Sequence, residues 1–188
     1  MSPSDADVVR AVRQGSRDAF GEIVRRYQRP LFGLVLMVVR DPAGAEEVTQ
    51  DAFVRAFANL DVYDERRPFH PWLATIGVRL AHNWLKSHGR VVRREVVPID
   101  EASEPERPAS ALDDLITDEQ SREVWRAVSS LPSGERTAVT LYYREEMPVS
   151  DIARTLGVTA GTIKTLLFRA RKHLRQRAAH MAKRETQA

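Results

Sequence analysis

Fourteen residues in the middle of the chain, Val97 to Ser110 (VPIDEASEPERPAS), hold three prolines and four acids. Proline removes a backbone donor and breaks helices, and a stretch this poor in apolar residues buries no core. The segment therefore cuts the 188-residue chain into two parts, each of which must bury a core of its own. A structureless loop of such length is uncommon inside one compact domain. The expected organisation is a first domain over residues 1–90, a flexible acidic linker over 91–110 and a second domain over 111–188. Fully extended, such a linker reaches about 70 Å.

Charge follows the same division. Residues 1–94 carry 15 basic and 11 acidic side chains, residues 95–119 carry 1 and 9, and residues 120–188 carry 13 and 6. Two basic ends flank an acidic middle, so a net charge of only +3 hides strong local fields.

Both ends read as helices. Asp5–Gln14 is a short one, stopped at Gly15. Ser16 or Asp18 is placed to cap the next, whose apolar residues Phe20, Ile23, Val24, Tyr27, Leu31, Leu34, Val35 and Val38 recur at three- and four-residue steps. Pro30 inside it is expected to kink or split it. A third helix is expected from about Ala43 to Leu60, and a fourth from about Pro71 to Ser87 with Leu73, Ile76, Leu80 and Trp84 facing inward. Further helices follow from about Leu112 to Ser130, Glu135 to Arg144 and Val149 to Leu156. No period-two pattern argues for a strand. The expected fold class is all-α, in two small domains.

The last helical stretch, Thr162 to Arg177 (TIKTLLFRARKHLRQR), holds six positive charges and no negative one. Its apolar stripe, Ile163, Leu167, Ala170 and Leu174, must face the preceding helix across the Gly157-Val158 turn. A short helix, a tight turn and a basic helix make a helix-turn-helix pattern, with the second helix suited to a DNA groove. Thr159 is placed to cap it and aim its positive end at a phosphate backbone. The residues left pointing away are Lys164, Thr165, Phe168 and Lys172, with Arg169 and Arg171 on the flanks. Early residues of such a helix meet base edges, so Thr162, Lys164 and Thr165 are the base-reading candidates. Arg169, Arg171 and Lys172 suit phosphates.

Two further stretches carry chemistry. In AEEVTQDAFVRAFANL (45–60), Glu46, Glu47, Gln50 and Asp51 lie opposite the phenylalanines. This is either an ordinary solvated face or a docking face for a basic partner. Tyr63, Phe69, Trp72 and Trp84 are interleaved with Arg66, Arg67, Arg79 and Lys86. Such rings are either core residues or, beside cations, a platform for unstacked bases.

Little suggests an enzyme. Histidines 70, 82, 88, 173 and 180 form no ligand pairing, and neither a phosphate-binding glycine loop nor a nucleophile–histidine pattern is present. No cofactor and no metal are expected. With no cysteine there is no disulfide or thiolate site. No apolar run approaches bilayer length, and MSPSDADVVR lacks the order of a signal peptide, so the expectation is a cytoplasmic protein without membrane insertion.

Taken in order, FGEIVRRYQRPLF (20–32), AEEVTQDAFVRAF (45–57), FHPWLATI (69–76) and LPSGERTAVTLYYREEMPVSDIARTLGVTAGTIKTLLFRARKHLR (131–175) resemble the extracytoplasmic-function (group IV) sigma factors of bacterial RNA polymerase. The resemblance spans nearly the whole chain and implies roles. Glu46, Glu47, Gln50 and Asp51 would dock on the core polymerase. The loop 61–68 and the following helix, through Arg66, Arg67, Phe69, Trp72, Arg79, Asn83 and Lys86, would open and hold the minus-ten element. Thr162, Lys164, Thr165, Phe168, Arg169, Arg171 and Lys172 would meet the minus-thirty-five element. An anti-sigma factor is the further partner implied. The chain departs from the family pattern at Arg79, often Asn, at Asn83, often Asp, and at Leu166, often Arg. The alternative is a stand-alone helix-turn-helix transcriptional regulator, but the sequence offers neither a heptad dimer helix nor a sensor domain.

Overall fold

A computed structural model describes residues 3–88 and 119–185. They belong to two separate compact units, and every regular element among them is helical. The linker expected over 91–110, and residues 112–118 of the helix expected to begin at Leu112, lie outside the described residues.

In the first unit, α1 (Asp5–Arg13) opens with a reciprocal cap. The Ser4 hydroxyl accepts the Asp7 N–H at 3.2 Å, and the Asp7 carboxylate accepts the Ser4 N–H at 3.0 Å. Gly15, at φ +103°, ends the turn in a conformation that favours glycine. A 3-10 turn, Arg17–Ala19, leads straight into α2 (Phe20–Val39). Neither Ser16 nor Asp18 caps α2, because the turn's own backbone bonds supply its first carbonyls.

Pro30 does not split α2, which runs as one element through it. The lost helical bond is outweighed by packing, since Leu31 and every residue from Gly33 to Val39 are buried. Arg40, at φ 60°, turns the chain, and Asp41 caps α3 (Pro42–Ala58) by accepting the Gly44 N–H at 2.8 Å. After a loop comes α4 (Phe69–Ser87).

The inner face of α4 is rotated from the expected one. Its buried residues are Phe69, Leu73, Ala74, Gly77, Val78, Ala81 and Leu85, while Ile76, Leu80 and Trp84 are half-buried. Small residues win because they let α2 approach closely: a Cβ on Gly77 would sit 2.9 Å from Leu31 Cδ1. Tyr27 joins three helices. Its hydroxyl donates to Asp5 at 2.5 Å and its ring stacks on Phe69 and His70 at 5.7 and 5.0 Å. Burial, then the Asp5 bond, pushes its phenol well above its ordinary pKa.

His82 on α4 has a buried Nε2 without a hydrogen-bond partner. Burial, assisted by Lys86, lowers its pKa below the ordinary 6.5. The unfolded chain thus takes up a proton near pH 6.5 that the folded unit refuses. Stability is complete above that pH and declines as pH falls toward the folded pKa. Thermal melts at about pH 7.5 and about pH 5.5 are expected to show a lower Tm in acid, with a smaller difference in His82→Leu. An unchanged difference would assign the acid sensitivity to other groups.

The second unit holds α5 (Glu119–Ser129), α6 (Ser133–Val139), a π-helical turn (Thr140–Arg144), α7 (Val149–Leu156) and α8 (Ala160–Glu185). The helix expected over 135–144 is therefore α6 followed by a looser turn. The turn closes at Glu146, which has φ 51°. Fully buried Arg136 donates to the carbonyls of Leu131 at 2.8 Å and Ser129 at 3.2 Å, serving the open end of α5. His173 on α8 meets buried Glu135 on α6 at 2.8 Å.

Candidate functional site

On α3, Val48, Thr49, Ala52, Phe53 and Ala56 turn inward, and Glu46, Glu47, Gln50 and Asp51 are all exposed. The next turn continues the exposed face with Val54, which is 70% accessible. The result is an acidic strip that runs onto an apolar spot. One of its acids is held in place: Glu47 Oε2 accepts the indole N–H of Trp84 at 2.9 Å. The indole lies against the backbone of Gly44, where a Cβ would come within 2.4 Å of Trp84 Cζ2. His88 stacks on the same ring at 4.1 Å and 18°.

The loop between α3 and α4 is braced from two sides. Inside, buried Tyr63 packs on Phe69 and Trp72, with ring centroids 5.1 and 5.0 Å away, and its hydroxyl donates to the Arg67 carbonyl. Outside, the Arg13 guanidinium on α1 reaches the Leu60 carbonyl at 2.5 Å, the Tyr63 carbonyl at 2.7 Å and the Glu65 carboxylate at 2.5 Å. The loop then presents Val62, Arg66 and Arg67 to solvent. Arg66 bonds Asp64 at 2.9 Å, and that bond holds the Asp64 carboxyl below the usual carboxylate range.

The aromatic residues divide. Tyr63 and Phe69 are core, Phe69 at 1% exposure, and they back the half-buried Trp72. From Trp72, steps of three and four residues along α4 lead past Ile76 to Arg79, Asn83 and Lys86, the last three exposed. One helix face therefore carries a supported indole followed by a cation, an amide and a second cation. Trp84 lies off this stripe and serves Glu47 instead.

In the second unit, Thr159 caps α8 as the sequence implies, its hydroxyl accepting the Thr162 N–H at 3.1 Å. Gly157, at φ +68°, makes the turn from α7. Ile152 of α7 and Ile163, Leu167 and Ala170 of α8 are buried, while Leu174 is only half-buried. Lys164, Thr165, Phe168, Arg171 and Lys172 are exposed, Phe168 at 67%, and Thr162 and Arg169 are half-buried. Two hydroxyls are already engaged: Thr162 with Thr159 at 2.9 Å and Thr165 with the Gly161 carbonyl at 3.0 Å. A hydroxyl keeps spare acceptor capacity, and the threonine methyls stay available for apolar contact. Arg171 bonds the Leu167 carbonyl through Nε, leaving its terminal nitrogens to reach outward.

Sequence reasoning missed two residues that shape these surfaces, Arg13 and Gly44. Nothing local marks either one, since each acts on a segment far along the chain.

Residues 23–91 match the Sigma-70 region 2 family, and residues 121–174 match Sigma-70, region 4. The chain is 32% identical over 176 residues to the ECF RNA polymerase sigma-E factor of Escherichia coli K12, covering 90% of this chain and 91% of that protein. It is 32% identical over 162 residues to the probable RNA polymerase sigma factor RfaY of Xanthomonas campestris, covering 86% of this chain but 40% of that longer protein. Among solved structures, the sigma factor RpoE in complex with the anti-sigma factor NepR from Bartonella quintana shares the fold. Its TM-score is 0.58 at 22% identity, over 85% of this chain and 96% of that one.

Proposed function

The chain belongs to the sigma-70 family of RNA polymerase sigma factors, in the extracytoplasmic-function group, and from that premise we propose how its surfaces divide the work of promoter selection. Glu46, Glu47, Gln50 and Asp51 on α3 dock on a basic surface of the core polymerase. The braced loop at 61–68, with Trp72, Arg79, Asn83 and Lys86, takes the minus-ten strand once it leaves the duplex. The indole stacks on a base while Arg66, Arg67, Arg79 and Lys86 follow the phosphates. Phe69 acts from beneath, as the support of Trp72. On α8, Lys164 and Thr165 read base edges of the minus-thirty-five element and Phe168 adds an apolar contact, with Thr162 at the entry. Arg169, Arg171 and Lys172 fix the register on phosphates.

One observation carries this reading. Two separate helical units each expose a surface of different chemistry, acidic on α3 and basic on α8, while their apolar stripes are buried. An acidic face repels nucleic acid, so the first unit needs a protein partner as well as DNA. Strand opening needs no chemical step: the chain stabilises bases that have unstacked, and nucleotide addition stays with the polymerase. An anti-sigma partner is proposed by analogy with the Bartonella complex, and action in the cytoplasm beside the polymerase goes with it.

Transcription in vitro tests the function. The purified chain added to core polymerase is expected to start transcripts at a subset of promoters in genomic DNA. Absence of any promoter-dependent transcript would refute it, and operator binding equally tight without core would favour a free-standing regulator. In the same assay Lys164→Ala is expected to lose about 10- to 100-fold at its preferred minus-thirty-five sequence, and less at others. An equal loss on all sequences would make Lys164 a phosphate contact.

A further inference from the structure

Resting on the reading of α3 as the docking face, we infer that Trp84 is a positioning residue for core binding: it holds the Glu47 carboxylate ready, and so ties the docking face to the promoter helix α4.

The indole N–H is a donor with no acceptor capacity, and its partner is Glu47 Oε2 at 2.9 Å. The bond engages one oxygen and leaves Glu47 Oε1 open to an incoming cation. Two further contacts hold the ring. Gly44 lets it lie on the α3 backbone, where any Cβ would overlap it at 2.4 Å, and His88 stacks on it at 4.1 Å. Gly44 is in turn held by the Asp41 cap at 2.8 Å. The first turn of α3 and the last turn of α4 are thus locked around one ring.

A free glutamate on an exposed helix samples several rotamers and loses them on binding. A carboxylate already oriented loses fewer, so binding is tighter for the same contacts.

Titration of the full-length chain with core polymerase, followed by fluorescence anisotropy, decides the matter. The variants are Trp84→Phe, Glu47→Gln and both together. Phe keeps a ring over Gly44 and removes the donor. Glu47→Gln is expected to weaken binding about tenfold and Trp84→Phe about fivefold. In the Glu47→Gln background, Trp84→Phe is expected to add nothing. The same fivefold loss in both backgrounds would mean that Trp84 merely supports the fold, and would overturn the proposal. So would parental binding by Trp84→Phe beside a weakened Glu47→Gln. Parental binding by Glu47→Gln would remove the docking role of Glu47, and the positioning role with it. If Trp84→Phe folds poorly, Gly44→Ala displaces the ring while keeping both partners, and its loss must likewise vanish in the Glu47→Gln background.

Discussion

Glu47→Arg combined with Asp51→Arg is expected to lower affinity for core polymerase by about a hundredfold while leaving the protein folded. Both side chains are exposed on the outer face of α3, so reversal disturbs no buried contact there. What changes is the field. Two attractive charges become two repulsive ones against a basic surface, and like charges brought together at an interface cost several kcal/mol. A loss of about 3 kcal/mol corresponds to that hundredfold change. The indole of Trp84 loses its acceptor, but its N–H then turns to water, which limits the structural cost. Circular dichroism and the melting temperature check the fold, and pull-down of core checks the docking. Undiminished pull-down would send α3 back to an ordinary solvated face. Raised salt should weaken the parent complex and narrow the gap between parent and variant, because screening acts on the attraction and the repulsion alike.

The acidic strip and the basic helix were legible in the sequence because they are periodic and local. A helix of known phase sorts its residues into inner and outer faces without help from the rest of the chain. On α8 this sorting holds for Ile163, Leu167 and Ala170, which are buried, and for Lys164, Thr165, Phe168 and Lys172, which are exposed, while Leu174 at the end of the stripe is only half-buried. On α4 it slipped by about one residue. Leu73 is buried, as its position in the apolar stripe implies, but Ile76, Leu80 and Trp84 of the same stripe are only half-buried. The buried face instead takes in Ala74, Gly77, Val78 and Ala81, and at Gly77 the close neighbour is Leu31 of α2, so which residues are buried depends on the helices packed against α4. Pro30 shows the same limit. Its local cost is real, yet α2 continues, because burial of Leu31 and Leu34 to Val39 outweighs one missing bond. The bonds of Arg13 to the loop and of Glu47 to Trp84 join residues 47, 50, 52 and 37 positions apart, and no periodicity reports such pairings.

Arg13→Ala is expected to impair promoter opening far more than core binding. One guanidinium ties α1 to the loop at Leu60, Tyr63 and Glu65, and lysine, with one compact ammonium, does not reproduce a planar fork that reaches three acceptors. Hydrogen bonds to charged groups contribute about 1.5–3 kcal/mol each. Arg13 is about a quarter exposed, so water takes over part of this, and a net loss of about 2 kcal/mol in loop order is the reasonable expectation. The loop does not collapse, because Tyr63 still packs on Phe69 and Trp72 from inside. Its outer part, from Asp64 to Pro68, gains freedom, and Arg66 and Arg67 with it. A strand captured by a loose loop must also order that loop, which weakens capture by about thirtyfold at this cost. Permanganate reactivity of minus-ten thymines in complexes with core polymerase measures the opening, and Arg13→Lys should fall between parent and alanine. The docking face lies on another helix and should retain its affinity for core. Full opening by Arg13→Ala would show that the inner brace alone orders the loop. An equal loss of core binding would place the effect of Arg13 on the whole unit, with the loop carrying no special share.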